Sequence, residues 1–207
     1  MIFKCFTVGM FGSNSYILGS QGEGIVIDAG VKSSYITDFA EKNDLKIKYV
    51  ILTHSHIDHI CYVDEIRNIT GALVAVHEED AKGLVEELYN CSALAGMNKA
   101  FGKADIRLKE GNSLEVGDLR FDIIHTPGHT RGGICVKSEK MLFTGDTLFR
   151  MSVGRTDLSG GSRQELENSI LDKLMKLEDD TVVYPGHGGS STIGYEREHN
   201  PFIKFGF

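Results

Sequence analysis

The sequence predicts a single mixed domain, α/β in content and α+β in arrangement, with helices covering sheets. Short apolar runs bounded by glycine or polar residues recur along the chain, and apolar positions at helical spacing fall between some of them. No linker or low-complexity segment divides the 207 residues, of which 41% are apolar and 25% charged, an ordinary globular composition.

In chain order, FTVGMF, SYIL and GIVID read as the first strands. Ile36, Phe39 and Ala40 then share one helical face. KYVILT is the next strand, and Ile60, Val63, Ile66 and Ile69 mark the apolar face of the helix after it. ALVAV returns to strand, and Ala81, Leu84, Val85 and Leu88 predict a further helix. The stretch from Asn90 to Ile106 reads as a helix end followed by a loop, and RFDII, GICV and KMLFT as strands. Leu166, Ile170, Leu174 and Leu177 define a last helix, opened by Ser162 and Glu165 at capping-box spacing, before the final strand TVVY.

Twenty-nine Asp and Glu against twenty-two Lys and Arg leave a net charge of −7, which argues against a broad phosphate-binding surface and against nucleic acid as a partner. The N-terminus lacks a signal-peptide pattern, and no run approaches ~18 consecutive apolar residues. A soluble, cytoplasmic protein with no membrane partner is expected. Cys5, Cys61, Cys91 and Cys135 are widely spaced without CxxC, as expected of reduced, mostly buried thiols.

The stretch THSHIDHI, Thr53 to Ile60, concentrates three of the eight histidines directly after the run YVIL. Three more apolar runs end near residues that bind metal: RFDIIHTPG leads to His129, KMLFTG to Asp146 and TVVYPG to His187. Strand ends lie along one edge of a layered fold, where mixed α/β proteins commonly place ligands. In extended backbone, i and i+2 point the same way, so His54 and His56 can clamp one ion, while a helix start turns Asp58 and His59 elsewhere. Seven candidate ligands exceed one tetrahedral site and fit two ions, roughly 3.5–4 Å apart, with Asp146 bridging and room for a hydroxide between them. Imidazole and carboxylate without thiolate suit zinc, and also iron or manganese. The triplet PGH occurs twice, at Pro127 to His129 and Pro185 to His187, and reads as one turn built twice to set a histidine past a strand.

THSHIDH, HTPGHT, GDTLF and YPGHG, in this order, resemble the metallo-β-lactamase fold superfamily, and GRTDLSGGS, Gly154 to Ser162, resembles its glyoxalase-II-like, hydroxyacylglutathione-hydrolase-like branch. The resemblance runs from about Gly24 to Pro201. It implies a four-layer αββα sandwich forming one hydrolase domain over residues 1–207. It implies that His54, His56 and His129 hold one ion, that Asp58, His59 and His187 hold the second, and that Asp146 bridges them. It further implies hydrolysis of a small acylated thiol by a bridging hydroxide, with Asp58 as the candidate catalytic residue orienting the water. Only about twenty residues follow His187, so no C-terminal helical glutathione-binding domain is expected. Cys61 and Tyr62 stand where family members usually carry glycine or alanine, and are expected to narrow or reshape the pocket floor.

The alternative with most support is a mononuclear iron persulfide dioxygenase, whose members share the HxHxDH start and the GRTD loop, with His54, His56, His129 and Asp146 on one iron. A lactonase or other acyl hydrolase of the same fold is a further alternative. His77, His125 and His199 match no ligand position and read as structural, His125 supporting the turn after it. Cys61 reads as a small buried helix residue and Asn14 as a turn residue. Arg155 and Asp157 read equally as substrate contacts or as a pair fixing their loop.

Overall fold

The computed structural model describes residues 1–9 and 11–206. The chain starts with β1 (Ile2–Thr7), β2 (Asn14–Ser20) and β3 (Glu23–Ile27), paired antiparallel, and crosses through helix α1 (Ser33–Lys42) to β4 (Lys46–Ile51). Helices α2 (Ile57–Ile60) and α3 (Val63–Thr70) lead to β5 (Leu73–His77), and a longer excursion leads to β6 (Ile106–Leu108). β3 to β6 are parallel, and the six strands form one sheet in chain order.

The second sheet begins with the antiparallel strands β7 (Ser113–Val116), β8 (Leu119–His125), β9 (Ile134–Ser138) and β10 (Met141–Gly145). A small ribbon, β11 (Leu148–Phe149) with β12 (Ser152–Val153), and helix α4 (Arg163–Asn168) precede β13 (Val182–Pro185), which pairs parallel with β10. β14 (Ser191–Thr192) closes the sheet edge, and α5 (Ile193–His199) and α6 (Pro201–Phe205) end the described chain.

Strand alternation divides the apolar residues among three seams. Tyr16, Leu18, Ile25, Ile27 and Ile51 face Phe121, Ile123, Val136 and Phe143 between the sheets. Their neighbours Ile17, Val26 and Val50 point the other way, onto Ile36, Ala40, Val63 and Ile66 of α1 and α3. Cys135, Leu142 and Val183 meet Leu166, Ile170, Leu174 and Ile193 on the far side. The result is helices, sheet, sheet, helices, the four-layer sandwich implied by the resemblance. Phe121 and Phe143 have no exposed surface, and truncating either to alanine would cost about 3–5 kcal/mol.

Several elements differ from the sequence reading. The first strand is Ile2–Thr7; in FTVGMF the chain leaves the sheet at Val8, Gly9 turns it with a φ of 118°, and Met10 lies outside the described residues. The helix expected from Ala81 to Leu88 is one 3₁₀ turn, Ala81–Leu84, and Val85 and Leu88 are exposed. Gly83 inside it packs on the Ser55 side chain, so this turn is fixed by contact with the histidine loop rather than by an amphipathic stripe. Ile69 is 63% exposed, because steps of three residues drift about 60° per step around a helix and carry position 69 off the face of Ile60, Val63 and Ile66. The last predicted helix starts as expected, with Glu165 N donating to Ser162 Oγ at 3.3 Å, but continues as a wide π turn, Ser169–Lys173, and a 3₁₀ turn, Leu174–Lys176. Residues 90–106 are turns and loop until β6 begins at Ile106. β7, β11, β12, β14, α5 and α6 are too short or too polar to stand out as apolar runs. Among the described residues no helix is long and apolar enough to cross a membrane.

Candidate metal centre

The first sheet delivers four of the seven residues just past β4. The chain bends at Thr53 and His54, is extended at His56, and enters α2 at Ile57, which turns Asp58 and His59 to a second direction. The second sheet delivers the others: His129 four residues past β8, Asp146 directly after β10 and His187 two residues past β13. All seven converge at one edge of the facing sheets, and their donor atoms form three overlapping groups: His54, His56 and His129; His54, His59 and Asp146; Asp58, His59 and His187.

His56 Nδ1 lies 2.9 Å from His129 Nε2, and His59 Nε2 lies 3.3 Å from both His187 Nε2 and Asp146 Oδ1. His187 Nε2 is 3.1 Å from Asp58 Oδ2, and Asp146 Oδ2 is 3.6 Å from His129 Nε2. Asp146 thus faces histidines of both outer groups. His54 Nε2 and Asp146 Oδ1 are buried without a hydrogen bond inside a cluster of closely facing imidazole nitrogens, an arrangement that bound cations would satisfy. The donor set fits a pair of divalent cations.

Electrostatics prepare these groups as ligands. Burial, with the neighbouring His59 and His129, pushes the His54 imidazole well below its ordinary value, and burial with His129 brings His56 down to about 3. Both are therefore neutral and free to donate a lone pair. Burial opposes charge on Asp58 and Asp146, yet His59 and hydrogen bonds hold both carboxyls below the usual range, so both stay ionised. His59 is the counterpart: burial works against its charge, but Asp58, Asp146 and Asp28 together raise it far above an ordinary histidine.

The supporting residues were mostly missed from the sequence. Asp28, at the end of GIVID, accepts from Thr53 N at 2.7 Å and from His59 Nδ1 at 2.8 Å. Asp80 accepts from Ser55 N at 3.0 Å and from Gly132 N at 2.8 Å, tying the first histidine loop to the turn after His129. Asn14 is a buried strand residue rather than a turn residue: its amide donates to the carbonyls of Pro185 and Gly188 at 2.9 Å each and fixes the His187 loop. The signal available was position, since each is a polar residue next to a buried apolar run.

The two PGH triplets are not one turn built twice. Gly128 adopts a φ of 137°, and a side chain there would strike the Leu166 backbone. Gly186 has no such dihedral; a Cβ there would run into Asp146 Oδ1 and lie 2.7 Å from the His59 ring. His125 Nε2 donates to the Arg131 carbonyl at 2.8 Å, a brace on the turn that carries His129, and its ring stacks on His77. His199 stacks on Tyr195, away from the cluster. Arg155 and Asp157 pair bidentately at 2.7 Å in the open, while the Arg155 carbonyl accepts from His129 Nδ1 at 2.7 Å and leaves Nε2 to the cluster. Cys61 is buried, and burial pushes its thiol up to about 11.

Residues 8–187 match the family model of the metallo-beta-lactamase superfamily. The chain is 34% identical to the hydroxyacylglutathione hydrolase GloC of Haemophilus influenzae, over 92% of each protein. Among solved structures, the BLEG-1 B3 metallo-beta-lactamase superposes with a TM-score of 0.93 at 35% identity, covering 98% of this chain and all of that one. TTHA1623 in a di-iron-bound form gives 0.82 at 29% identity, covering 96% and 99%. The chain therefore belongs to the metallo-β-lactamase superfamily as a metallohydrolase.

Proposed function

We propose that the protein hydrolyses small thioesters at a centre of two divalent cations. His54, His56 and His129 would hold one cation, Asp58, His59 and His187 the other, and Asp146 both. Zinc suits this donor set. TTHA1623 is known in a di-iron-bound form, which supports iron as the alternative, and manganese suits the same kinds of donor. When bound, such a pair supplies a hydroxide near neutral pH and a Lewis acid for the developing oxyanion.

The chain's own residues position the reaction. The Asp58 carboxylate is ionised, and its side chain is 21% exposed, so it accepts a hydrogen bond from the attacking water and aims it at the carbonyl carbon. Four histidines and Asp146 are buried more deeply, which confines the substrate's approach to the Asp58 and His187 side. No serine or cysteine nucleophile is required. A thiolate, with a pKa near ~8.5, leaves without a donated proton, so the site needs no general acid. The four free cysteines fit a reducing, cytoplasmic setting.

The observation that carries this reading is the complete seven-residue donor set combined with the likeness to GloC across nearly the whole chain. A single-iron dioxygenase shares the HxHxDH start, so metal count and oxygen uptake separate the two readings: about one iron per chain with thiol-dependent oxygen consumption would displace hydrolysis. The test is thiol release from a series of short acyl thioesters, with metal content measured on the same sample and Asp146→Ala as control. Turnover that tracks bound metal and vanishes in the variant is expected. Fully loaded protein that releases no thiol would overturn the reading.

A further inference from the structure

A pocket of about 500 Å³ is lined by Phe11, Tyr35, Tyr62 and Met97 together with Lys32 and Lys99, and none of the roles described above uses it. Its walls belong to the segments that build the centre. Gly30 and Cys61 line it, and the loop after β3 is bonded to the turn after α2: Ala29 N donates to the His59 carbonyl at 2.7 Å, and Tyr62 N to the Ala29 carbonyl at 3.0 Å. Cys61 and Tyr62 form the turn that follows α2, directly after the helix that carries Asp58 and His59. The opposite wall, with Val8 and Phe11, runs into Ser13. The Ser13 hydroxyl donates to the Asp58 carbonyl at 2.7 Å, and its backbone bridges to His187. The pocket therefore flanks the Asp58 and His187 side, where the substrate enters.

Its charge is as distinctive as its position. In a chain of net charge −7, both charged residues lining it are cationic. Among the described residues neither ammonium has a carboxylate partner; Lys99 Nζ reaches only the Cys61 carbonyl at 3.4 Å, across from the Phe101 ring. An apolar cavity bordered by two unneutralised ammonium groups suits an apolar body that carries an anion.

We propose that this pocket seats the non-reacting end of the substrate, and that Lys32 and Lys99 select thioesters whose apolar body ends in a carboxylate. The activity readout of this proposal rests on the thioester reading above; the binding readout rests on the pocket alone.

Two matched pairs of thioesters test it with metal-loaded protein. The first pair sets an adipyl against a hexanoyl ester of one neutral thiol; the second sets a mercaptopropionate against a propanethiol ester of hexanoate. Each is assayed with wild type and with the double variant Lys32→Met, Lys99→Met. The variant keeps chain length and apolar stems, and the Lys99 backbone bonds to Asn90 and Ser92 do not involve its side chain. Expected is a preference of about tenfold in kcat/KM for the carboxylate-bearing member of at least one pair, weakened by salt and lost in the variant, with the neutral ester unaffected. Equal efficiency toward both members of both pairs, or a preference that the variant keeps, overturns the proposal.

If no thioester is hydrolysed, the hydrolase reading fails, and calorimetry reads the pocket separately. Binding of 6-phenylhexanoate about tenfold weaker in the double variant than in wild type supports the pocket, and equal affinity overturns it.

Discussion

Asp28 Oδ2 lies 2.8 Å from His59 Nδ1, with both side chains almost fully withdrawn from solvent. The same oxygen accepts from the Thr53 hydroxyl at 2.8 Å, and that hydroxyl lies 3.2 Å from His54 Nδ1. One acid thus sets the tautomer of His59 directly and of His54 through Thr53, so that both present Nε2 to the cluster. Asp28 has a left-handed backbone, φ 61°, which asparagine tolerates. Asp28→Asn is therefore expected to fold but to bind its cations about 10–100-fold more weakly, as read by competition with a chelator. Unchanged affinity would remove Asp28 from the account.

The two glycines of the PGH triplets are expected to fail differently. Gly186→Ala places a methyl group against Asp146, His59 and the Gly145 backbone, so it should lose bound metal, with a smaller loss of apo-protein stability than a change at Gly128. Gly128→Ala forces a side chain into a positive φ and against the Leu166 backbone, so it should destabilise the fold by about 1–3 kcal/mol or more in urea. A Gly186→Ala protein that retains full metal content would contradict this division.

Asn14→Ala removes two amide hydrogen bonds to the His187 loop and leaves the Gly188 carbonyl and the Thr7 hydroxyl without that partner. A stability loss of about 1–3 kcal/mol is expected, with metal affinity reduced through the displaced His187. Urea unfolding of the apo-protein and chelator competition measure the two effects separately. Neither changing would make Asn14 a bystander.

His77 is 4% exposed and stacks on His125 with ring centroids 3.9 Å apart. Burial, then the neighbouring His125, brings its imidazole down from 6.5 to about 4. Between those values the unfolded chain takes up a proton that the folded chain refuses. The contribution to stability is complete above pH 6.5 and is lost as the pH falls toward 4. His77→Phe keeps a stacking ring and removes the proton. The stability difference between wild type and variant should be flat above about pH 7 and shift toward the variant below about pH 6. A difference constant across that range would contradict the assignment.

That seven metal-binding side chains share one edge was legible because metal chemistry needs particular side chains at particular spacings, and the four-layer sandwich was implied by the resemblance those motifs carry. His54 and His56 announce an extended clamp, and long apolar strands such as SYIL and KMLFT alternate between seams. What was not legible depends on tertiary contact. Asp28 looks like any polar strand end until the fold brings His59 to it, and Gly83 looks like a helix interior until Ser55 packs there. The short strands β11, β12 and β14 exist because a neighbouring strand or ribbon supplies their partners, which no local periodicity records.

Seven side chains from two sheets converge in an arrangement that fits two cations. The most direct measurement is metal stoichiometry by elemental analysis on equilibrated, desalted protein, wild type beside His187→Ala. Two divalent ions per chain are expected in the wild type and about one in the variant, which keeps His54, His56, His129 and Asp146 intact. One ion or none in the wild type, or the same count in both proteins, would contradict it.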